Sequence, residues 1–175
     1  MPKVTLELIQ ELRNRTGMGM LDCKNALVET DGNIEAAIDT LRKKGMLIAA
    51  KRSGNKTAEG LIHAYIHPGS RIGVLLELNC ETDFVARTDE LKKFAADVCL
   101  HIAAMNPMCL SPEEVDPKLL REDGNNAKLY SEVCLMQQSF VKNDKLTIDQ
   151  LLKEIIGKIG ENIVIRRFTR YEVGA

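Results

Sequence analysis

The spacing of hydrophobic residues changes about a third of the way along the chain, and this change limits the folds that the sequence can adopt. Up to about residue 45, apolar residues recur every three or four positions, as in amphipathic helices. Between residues 61 and 80 they alternate with other residues, as in strands that bury one face. Helices followed by paired strands indicate the α+β fold class.

The first part of the chain is predicted to form a three-helix bundle. Thr5 is a capping residue for a first helix that stops at Gly17, and a second helix covers residues 20–30. Asn33 caps a third helix, which we expect to end at Gly45 because lysines precede that glycine.

The second part is predicted to form an antiparallel sheet packed on helices. Leu61–Ile66 and Ile72–Cys80 flank a turn sequence and form a hairpin, and residues 163–173 form a third, antiparallel strand. Two further helices begin at Thr88 and at a capping box made by Thr147 and Gln150. Residues 111–127 are expected to be loop with a short helix.

These elements predict two domains joined by a linker. Residues 1–50 form the three-helix domain, residues 51–58 form a small, basic, glycine-containing linker, and residues 59–175 form an α+β core domain with a three-stranded antiparallel sheet.

Charge and cysteine content narrow the function. Lys and Arg number 24 against 25 Asp and Glu, so the chain lacks the positive field that binding to nucleic acid requires. No long apolar run or signal-like leader is present, so we expect a cytoplasmic protein that does not bind membranes. The five cysteines are scattered without CxxC spacing, which indicates a reducing compartment and neither a disulfide framework nor a zinc site.

The sequence also gives no sign of catalysis, so we expect a protein that is not an enzyme and needs no cofactor. Common nucleotide, metalloprotease and hydrolase motifs are absent. His63 and His67 fall across a strand end and a turn, where a solvated hairpin explains them better than a metal site. Cys80 is a conceivable nucleophile, but its strand position favours the core. The arginines near residues 166–170 are expected to be solvated or paired with acidic neighbours.

Two short segments are candidates for contact with a partner. In the turn Thr16–Met20, Met18 or Met20 can present an apolar side chain at the surface, although one of them can instead fill the bundle core. In the segment Glu81–Arg87, Phe84 stands among polar residues. This ring is either a contact for another protein or packs back on the following helix. The chain has only seven aromatic residues, so the placement of Phe84 on a loop is notable.

Three stretches of the chain carry a family resemblance. They include Arg15-Thr16-Gly17, Gly19-Met20 and Asp22-Cys23-Lys24 in the first, Asn79-Cys80-Glu81-Thr82-Asp83-Phe84-Val85-Ala86 in the second, and Lys158-Ile159-Gly160-Glu161-Asn162-Ile163 continuing to Phe168 in the third. In this order they resemble the bacterial elongation factor Ts family. The resemblance implies a bundle of the ubiquitin-associated (UBA) type before the α+β core.

The resemblance also implies a function: guanine-nucleotide exchange on the translational GTPase elongation factor Tu, promoting GDP release in translation elongation. The segment Thr82, Asp83, Phe84 and Val85 would enter the GTPase near its Mg²⁺ and phosphate site and displace the ion. Met18, Gly19, Met20 and Lys24 of the N-terminal bundle would contact the nucleotide domain. The alternative is a UBA-like protein-binding module on an unrelated core.

Two features depart from the longer members of the family. The chain has a single core, like short members that pair as homodimers, so we expect a dimer formed core against core through the sheet. The segment 116–130 also looks shorter than the corresponding stretch of other family members. Some short members have a cysteine where Thr169 stands, so the resemblance gives no basis for assuming a disulfide between subunits at that position.

Overall fold

The structure is a computed structural model that describes residues 4–120 and 124–175. The chain divides into two compact units. The first takes the chain up to Gly54 together with Lys153–Glu161, and the second comprises Asn55–Leu152 and Asn162–Ala175. The boundary at Gly54 lies inside the segment assigned to a linker, and the domain limits themselves stay a prediction.

Three helices build most of the first unit: α1 (Leu6–Thr16), α2 (Met20–Glu29) and α3 (Ile34–Arg52). The predicted caps are present, since the side chains of Thr5 and Asn33 accept hydrogen bonds from the backbone N–H groups of Leu8 and Ala36. The core is aliphatic and is formed by Ile9, Leu12, Met18, Cys23, Ala26, Leu27, Ala37 and Leu41. The three-helix bundle is therefore confirmed, whereas its similarity to UBA domains stays a prediction.

The expected end of the third helix at Gly45 is wrong, because α3 continues to Arg52. Gly45 serves a close approach between helices. A Cβ atom on Gly157, in the last turn of the helix Ile148–Ile159, would fall 2.5 Å from the Cα atom of Gly45. Glycine is required at position 157, because a side chain there would separate the two backbones, whereas a Cβ atom on Gly45 would meet only ordinary contacts of 3.6 and 3.7 Å.

The second unit is organised around a three-stranded antiparallel sheet with strand order β1-β2-β5. The strands are β1 (Glu59–Ile66), β2 (Ile72–Cys80) and β5 (Ile163–Glu172), the last numbered in chain order after β3 and β4 described below. The predicted hairpin and third strand are confirmed. One face of the sheet packs against the helix Asp89–Met105, and Val74, Leu76, Leu78 and Cys80 are buried on that side.

The remaining elements complete the fold, and the helix Ile148–Ile159 begins in the second unit and ends in the first. They are α4 (Asp83–Ala86), α5 (Asp89–Met105), α6 (Ala127–Val133), β3 (Ser139–Phe140), β4 (Asn143–Thr147) and α7 (Ile148–Ile159), with single 3₁₀ turns at Pro112–Glu114, Pro117–Leu119 and Leu135–Gln137. The predicted caps of α5 and α7 are present: Leu91 N–H donates to Thr88 Oγ1, and Thr147 and Gln150 bond reciprocally. The small β3–β4 pair was not anticipated from the sequence.

Candidate functional site

The side chain of Phe84 lies outside the fold. Its exposed fraction is 79%, whereas Phe94 and Phe140 are 4% and 6% exposed. Burying a phenylalanine typically contributes about 1.5–3 kcal/mol to folding. The position of this ring therefore gives the protein little stability. The alternative in which Phe84 packs back on the following helix is wrong.

The ring is carried by a short, well-fixed segment. Residues expected to form a loop make one helical turn, α4, because both of its ends are capped. At the start, Val85 N–H donates to Thr82 Oγ1 over 3.4 Å. At the end, the Thr88 hydroxyl donates to the Val85 carbonyl over 2.8 Å. The backbone polar groups beside Phe84 are thus bonded within the segment, and the apolar ring is left facing solvent.

Asp83 lies next to Phe84 and forms an ion pair within the same turn. Its carboxylate accepts from Arg87 Nη2 over 2.7 Å, and both side chains are substantially exposed. A pair of this kind contributes about 0.2–1 kcal/mol because water screens it. It orients Asp83 without withdrawing the carboxylate from contact with a partner.

Glu81 anchors the base of this turn. Its carboxylate accepts a hydrogen bond from the backbone N–H of Asn162 over 2.6 Å and from the side-chain amide of Asn55 over 3.0 Å. Asn162 in turn donates from its own side chain to the Asn55 carbonyl over 3.0 Å. Next to it, the Cys80 thiol donates to the Thr82 carbonyl over 3.1 Å. Three distant parts of the second unit thus meet directly before α4.

Sequence reasoning missed this anchor. The sequence places Asn55 in the predicted linker and Asn162 in a family motif, and neither pattern indicates a contact with Glu81. Asn162 is 5% exposed, and a buried amide needs hydrogen-bond partners. Its burial is visible only once β5 is placed beside β2, so no local pattern could have indicated the contact with Glu81.

The N-terminal turn differs from the expectation for Met18. This side chain is 9% exposed and belongs to the bundle core, so it fills the interior and is not presented at the surface. Gly17, with a φ of 68°, ends α1 in the left-handed conformation and lets the chain turn inward there. The surface role is left to Met20, which is 42% exposed just after Gly19.

Lys24 is exposed one helical turn after Met20, so both residues lie on one face of α2. The neighbouring Leu21 is 69% exposed. Lys44 of α3 pairs with Asp22 over 2.5 Å, which holds α3 alongside this part of α2. The start of α2 therefore presents apolar and positively charged groups together.

The face of the sheet that points away from α5 is also apolar at one end. Large exposed side chains there are Ile62, Ile66, Leu75 and Tyr171, followed by Val173 after the strand. In the strand register Leu75 pairs with Ala64 and with Thr169, and Gly73 pairs with Ile66 and with Tyr171. These residues form a continuous patch, and Thr169 lies in its middle row.

The residues considered for catalysis or metal binding have structural roles. His67 Nδ1 bonds with the Tyr65 hydroxyl over 3.0 Å. Within residues 4–120 and 124–175, no group of three or more His, Cys, Asp or Glu is placed to bind a metal ion. Cys80 is fully buried. Arg167 pairs with Glu77 over 2.6 Å and Arg170 with Glu172 over 2.7 Å, as expected for an ion-paired strand end.

Among the helices that the structure describes, none combines the length and the apolar character needed to cross a membrane.

Comparison with known proteins identifies the family. The profile described as "Elongation factor TS" matches residues 8–125 and 121–175. Elongation factor Ts of Caldanaerobacter subterraneus subsp. tengcongensis (strain DSM 15242 / JCM 11007 / NBRC 100824 / MB4) is 46% identical, with 98% of this chain and 97% of that protein covered. Elongation factor Ts of Desulfitobacterium hafniense (strain DSM 10664 / DCB-2) is 49% identical, with 99% and 91% covered. The protein of that name from Desulfotalea psychrophila (strain LSv54 / DSM 12343) is 44% identical, with 98% and 99% covered.

These alignments also bear on the shortened region. The first of them extends over 194 positions, more than the 175 residues of this chain, so it contains positions that this chain lacks. The two parts of the profile match meet at residues 121–125, inside the segment 116–130. Residues 121–123 lie outside the described part of the structure. The matches span both the helical bundle and the α+β core, and the chain belongs to the elongation factor Ts family.

Proposed function

We propose that this protein is a guanine-nucleotide exchange factor for elongation factor Tu in translation elongation. The observation that carries the proposal is the 79% exposed Phe84 ring on a turn whose two ends are capped. Family membership supports the elongation-factor role. The match to the family profile over the core removes the alternative of a UBA-like module on an unrelated core.

The proposed mechanism is insertion of Thr82, Asp83, Phe84 and Val85 beside the Mg²⁺ and phosphate site of the GTPase. Bound GDP is held by contacts to its phosphates and by Mg²⁺, whose positive charge offsets theirs. An apolar ring placed there offers the ion no ligand and takes the place of water. Loss of the ion weakens the hold on GDP, and each 1.4 kcal/mol lost raises its dissociation constant about tenfold.

The residues around Phe84 have separate parts in this mechanism. Thr82 and Val85 fix the turn through the cap described above, which limits the conformational freedom lost on binding. Asp83, oriented by Arg87, either sets the direction of the turn or bonds to the GTPase directly. No bond is made or broken in the nucleotide, so the factor needs no catalytic group of its own.

The N-terminal unit supplies a second contact, with the nucleotide domain of the GTPase. Met20 and Lys24 form its surface, and Gly19 adds no side chain that would keep a partner away. Met18 contributes from inside, because it supports the turn from the bundle core. Contacts from two units allow the factor to stay bound while GDP leaves.

Nucleotide and exchange factor must then weaken each other's binding by the same factor. Binding of a new nucleotide, GTP in the productive cycle, therefore releases the factor. We place this cycle in the cytoplasm, in keeping with the five free cysteines.

We also propose that the protein is a homodimer joined through the outer face of the sheet. The patch of Ile62, Ile66, Leu75, Tyr171 and Val173 offers apolar area that a second copy would cover. Changing Leu75 to Arg should convert the dimer to a monomer in sedimentation analysis, because it places a charge in the middle row. A monomeric unaltered protein would refute the dimer and leave the exchange proposal standing.

Release of fluorescent GDP from elongation factor Tu tests the main proposal. The unaltered chain should accelerate release, and Phe84→Ala should lose at least about tenfold of that stimulation, since aromatic anchors of interfaces contribute 2 kcal/mol or more. Met108→Ala is the matched control, because Met108 is 70% exposed in the same unit and lies outside the proposed contacts. Equal stimulation by Phe84→Ala and the unaltered chain would remove Phe84 from the mechanism.

A further inference from the structure

Two cysteines far apart in sequence lie side by side in the second unit. Cys109 follows α5, and Cys134 follows α6, 25 positions later. Their sulfur atoms are 3.5 Å apart, with the Cys109 thiol directed at Cys134. Cys134 is fully buried and Cys109 is partly exposed.

The backbone holds this pair in place independently of the sulfur atoms. Cys109 and Cys134 form a parallel β-bridge. Its hydrogen bonds run from Cys109 N–H to the Val133 carbonyl and from Leu135 N–H to the Cys109 carbonyl, the latter over 2.9 Å. Bridged segments lie about 4.8 Å apart, inside the range of roughly 4.4–6.8 Å between Cα atoms that a disulfide requires. The two sulfur atoms are 3.5 Å apart, so they must approach by about 1.5 Å to form the bond.

We propose that Cys109 and Cys134 are a modification site, a dithiol that hydroperoxides convert reversibly into an intramolecular disulfide. The proposal stands apart from nucleotide exchange, since neither residue belongs to the Phe84 turn or to the start of α2. Metal binding does not compete as an explanation, because the described residues supply no third ligand beside the two thiols.

The order of reaction follows from exposure. Cys109 is the accessible thiol, and its thiolate attacks one oxygen of hydrogen peroxide. The O–O bond breaks, Cys109 becomes a sulfenic acid, and the other oxygen leaves as hydroxide that takes up a proton to form water. The Cys134 sulfur then attacks the sulfenic sulfur, the S–S bond forms, and the hydroxyl leaves with a proton as a second water. Two thiols thus lose two electrons and two protons, and one hydrogen peroxide molecule becomes two molecules of water.

The surroundings make formation of this disulfide slow, so the pair is not a fast redox catalyst. Burial, Cys109, and the carboxylates of Glu113 and Glu114 raise the pKa of the Cys134 thiol to about 12. Without stabilisation of the thiolate, the reduced form has no electrostatic advantage over the disulfide. The bond would close the segment between the two cysteines, which includes both proline-initiated 3₁₀ turns and α6.

The test uses the reduced full-length chain treated with hydrogen peroxide, blocked with an alkylating reagent and analysed by peptide mass spectrometry without reduction. The expected product has lost two of its five free thiols and contains one peptide pair joined through Cys109 and Cys134. Dithiothreitol should restore all five. Cys99→Ser is the matched control, because Cys99 is buried without a neighbouring thiol, and this variant should still form the bond.

Two further variants keep the proposal falsifiable. Cys109→Ser should retain every remaining thiol under the same treatment, and Cys134→Ala should leave Cys109 as a sulfenic acid that a cyclic diketone traps. Retention of all five thiols in the unaltered chain, bonds between two chains, or conversion of Cys109 to sulfinic acid beside a free Cys134 would each overturn the proposal.

Discussion

The Phe84 turn and the Met18–Met20 turn are both short connections that carry apolar side chains, yet they use those side chains differently. In the first, the apolar residue faces solvent and the backbone around it is fixed by caps. In the second, Met18 is inside the bundle and Met20 is half exposed. Two short segments with similar sequence patterns therefore differ in structure. One exposes the Phe84 ring, and the other buries Met18 and leaves Met20 partly exposed.

The difference follows from what each unit has available for its core. All seven aromatic residues lie beyond residue 54, and none lies within Lys153–Glu161. The first unit must fill its interior with aliphatic and sulfur-containing side chains, and flexible methionine suits an irregular gap. The second unit has a sheet and α5 to enclose its core without Phe84. The core of the second unit is filled without Phe84, so this ring is available for another contact.

Replacing the two methionines separately should show the largest contrast. Met18→Ala should lower the free energy of unfolding by about 2–4 kcal/mol, because it leaves a cavity in the small core. Met20→Ala should change it by less than about 0.5 kcal/mol. Urea unfolding monitored by circular dichroism measures both values.

The same two variants separate folding from binding. Met20→Ala should weaken the complex with elongation factor Tu at unchanged stability, measured by titration calorimetry at a temperature where both variants are folded. A stable Met18→Ala protein together with an unstable Met20→Ala protein would reverse the assignment of the two residues.

The next contrast concerns the anchor of the Phe84 turn, which joins distant parts of the chain, whereas Met18 is held by local hydrogen bonds with Thr16 and Cys23. Glu81→Ala removes the acceptor for the Asn162 backbone N–H and the Asn55 amide, so it should cost about 1–3 kcal/mol in unfolding free energy. GDP release should also slow, because the turn loses its fixed base. Glu81→Gln keeps an acceptor oxygen and should recover most of both losses. Equal behaviour of the two variants would show that the charge, and not the hydrogen bonding, is what matters.

The two units should also respond differently to pH. His101 is fully buried and bonds to Gln138 over 2.9 Å and to the Val141 N–H over 3.2 Å. Burial lowers its pKa below the ordinary 6.5, although the bond to Gln138 opposes this. The unfolded chain therefore gains a proton as the pH falls below about 6.5 while the folded chain does not. Stability of the second unit should drop by up to about 1.4 kcal/mol per pH unit until the folded pKa is reached.

The first unit contains no histidine, so this loss should be confined to the second. Hydrogen exchange of the two units between pH 7 and pH 5 distinguishes them. His67→Ala, which alters an exposed histidine, should leave the effect intact, whereas His101→Gln should remove it. An identical pH response of both units would contradict the assignment to His101.

Structural features whose cause lies within a few residues could be predicted from the sequence, and features whose cause lies far along the chain could not. The caps at Thr5, Asn33, Thr88 and Thr147 were found because each bonds within its own helical turn. The helix end predicted at Gly45 is wrong because nothing near Gly45 in the sequence indicates that α3 continues and packs against Gly157, more than a hundred positions away. The Glu81 anchor was invisible for the same reason.

The candidate site shows the same division between local and distant causes. The occurrence of Phe84 among polar residues just before the Thr88 cap could be read from the sequence, whereas the capped helical turn α4 could not, because a loop was expected there. Whether Met18 or Met20 faces outward could not, because that depends on the volume left between three helices.

The smallest effect should come from the ion pair beside Phe84. Arg87 is 77% exposed in its side chain, so Arg87→Ala should change the unfolding free energy by less than about 1 kcal/mol. If Asp83 contacts the GTPase, Asp83→Ala should slow GDP release more than Arg87→Ala does, because only the first removes the contacting group. We expect this order in the fluorescent GDP assay. Equal losses of GDP release with the two variants would mean that Asp83 acts only by holding the turn. Unchanged GDP release with both variants would mean that Phe84 is the only side chain of that turn that acts in exchange.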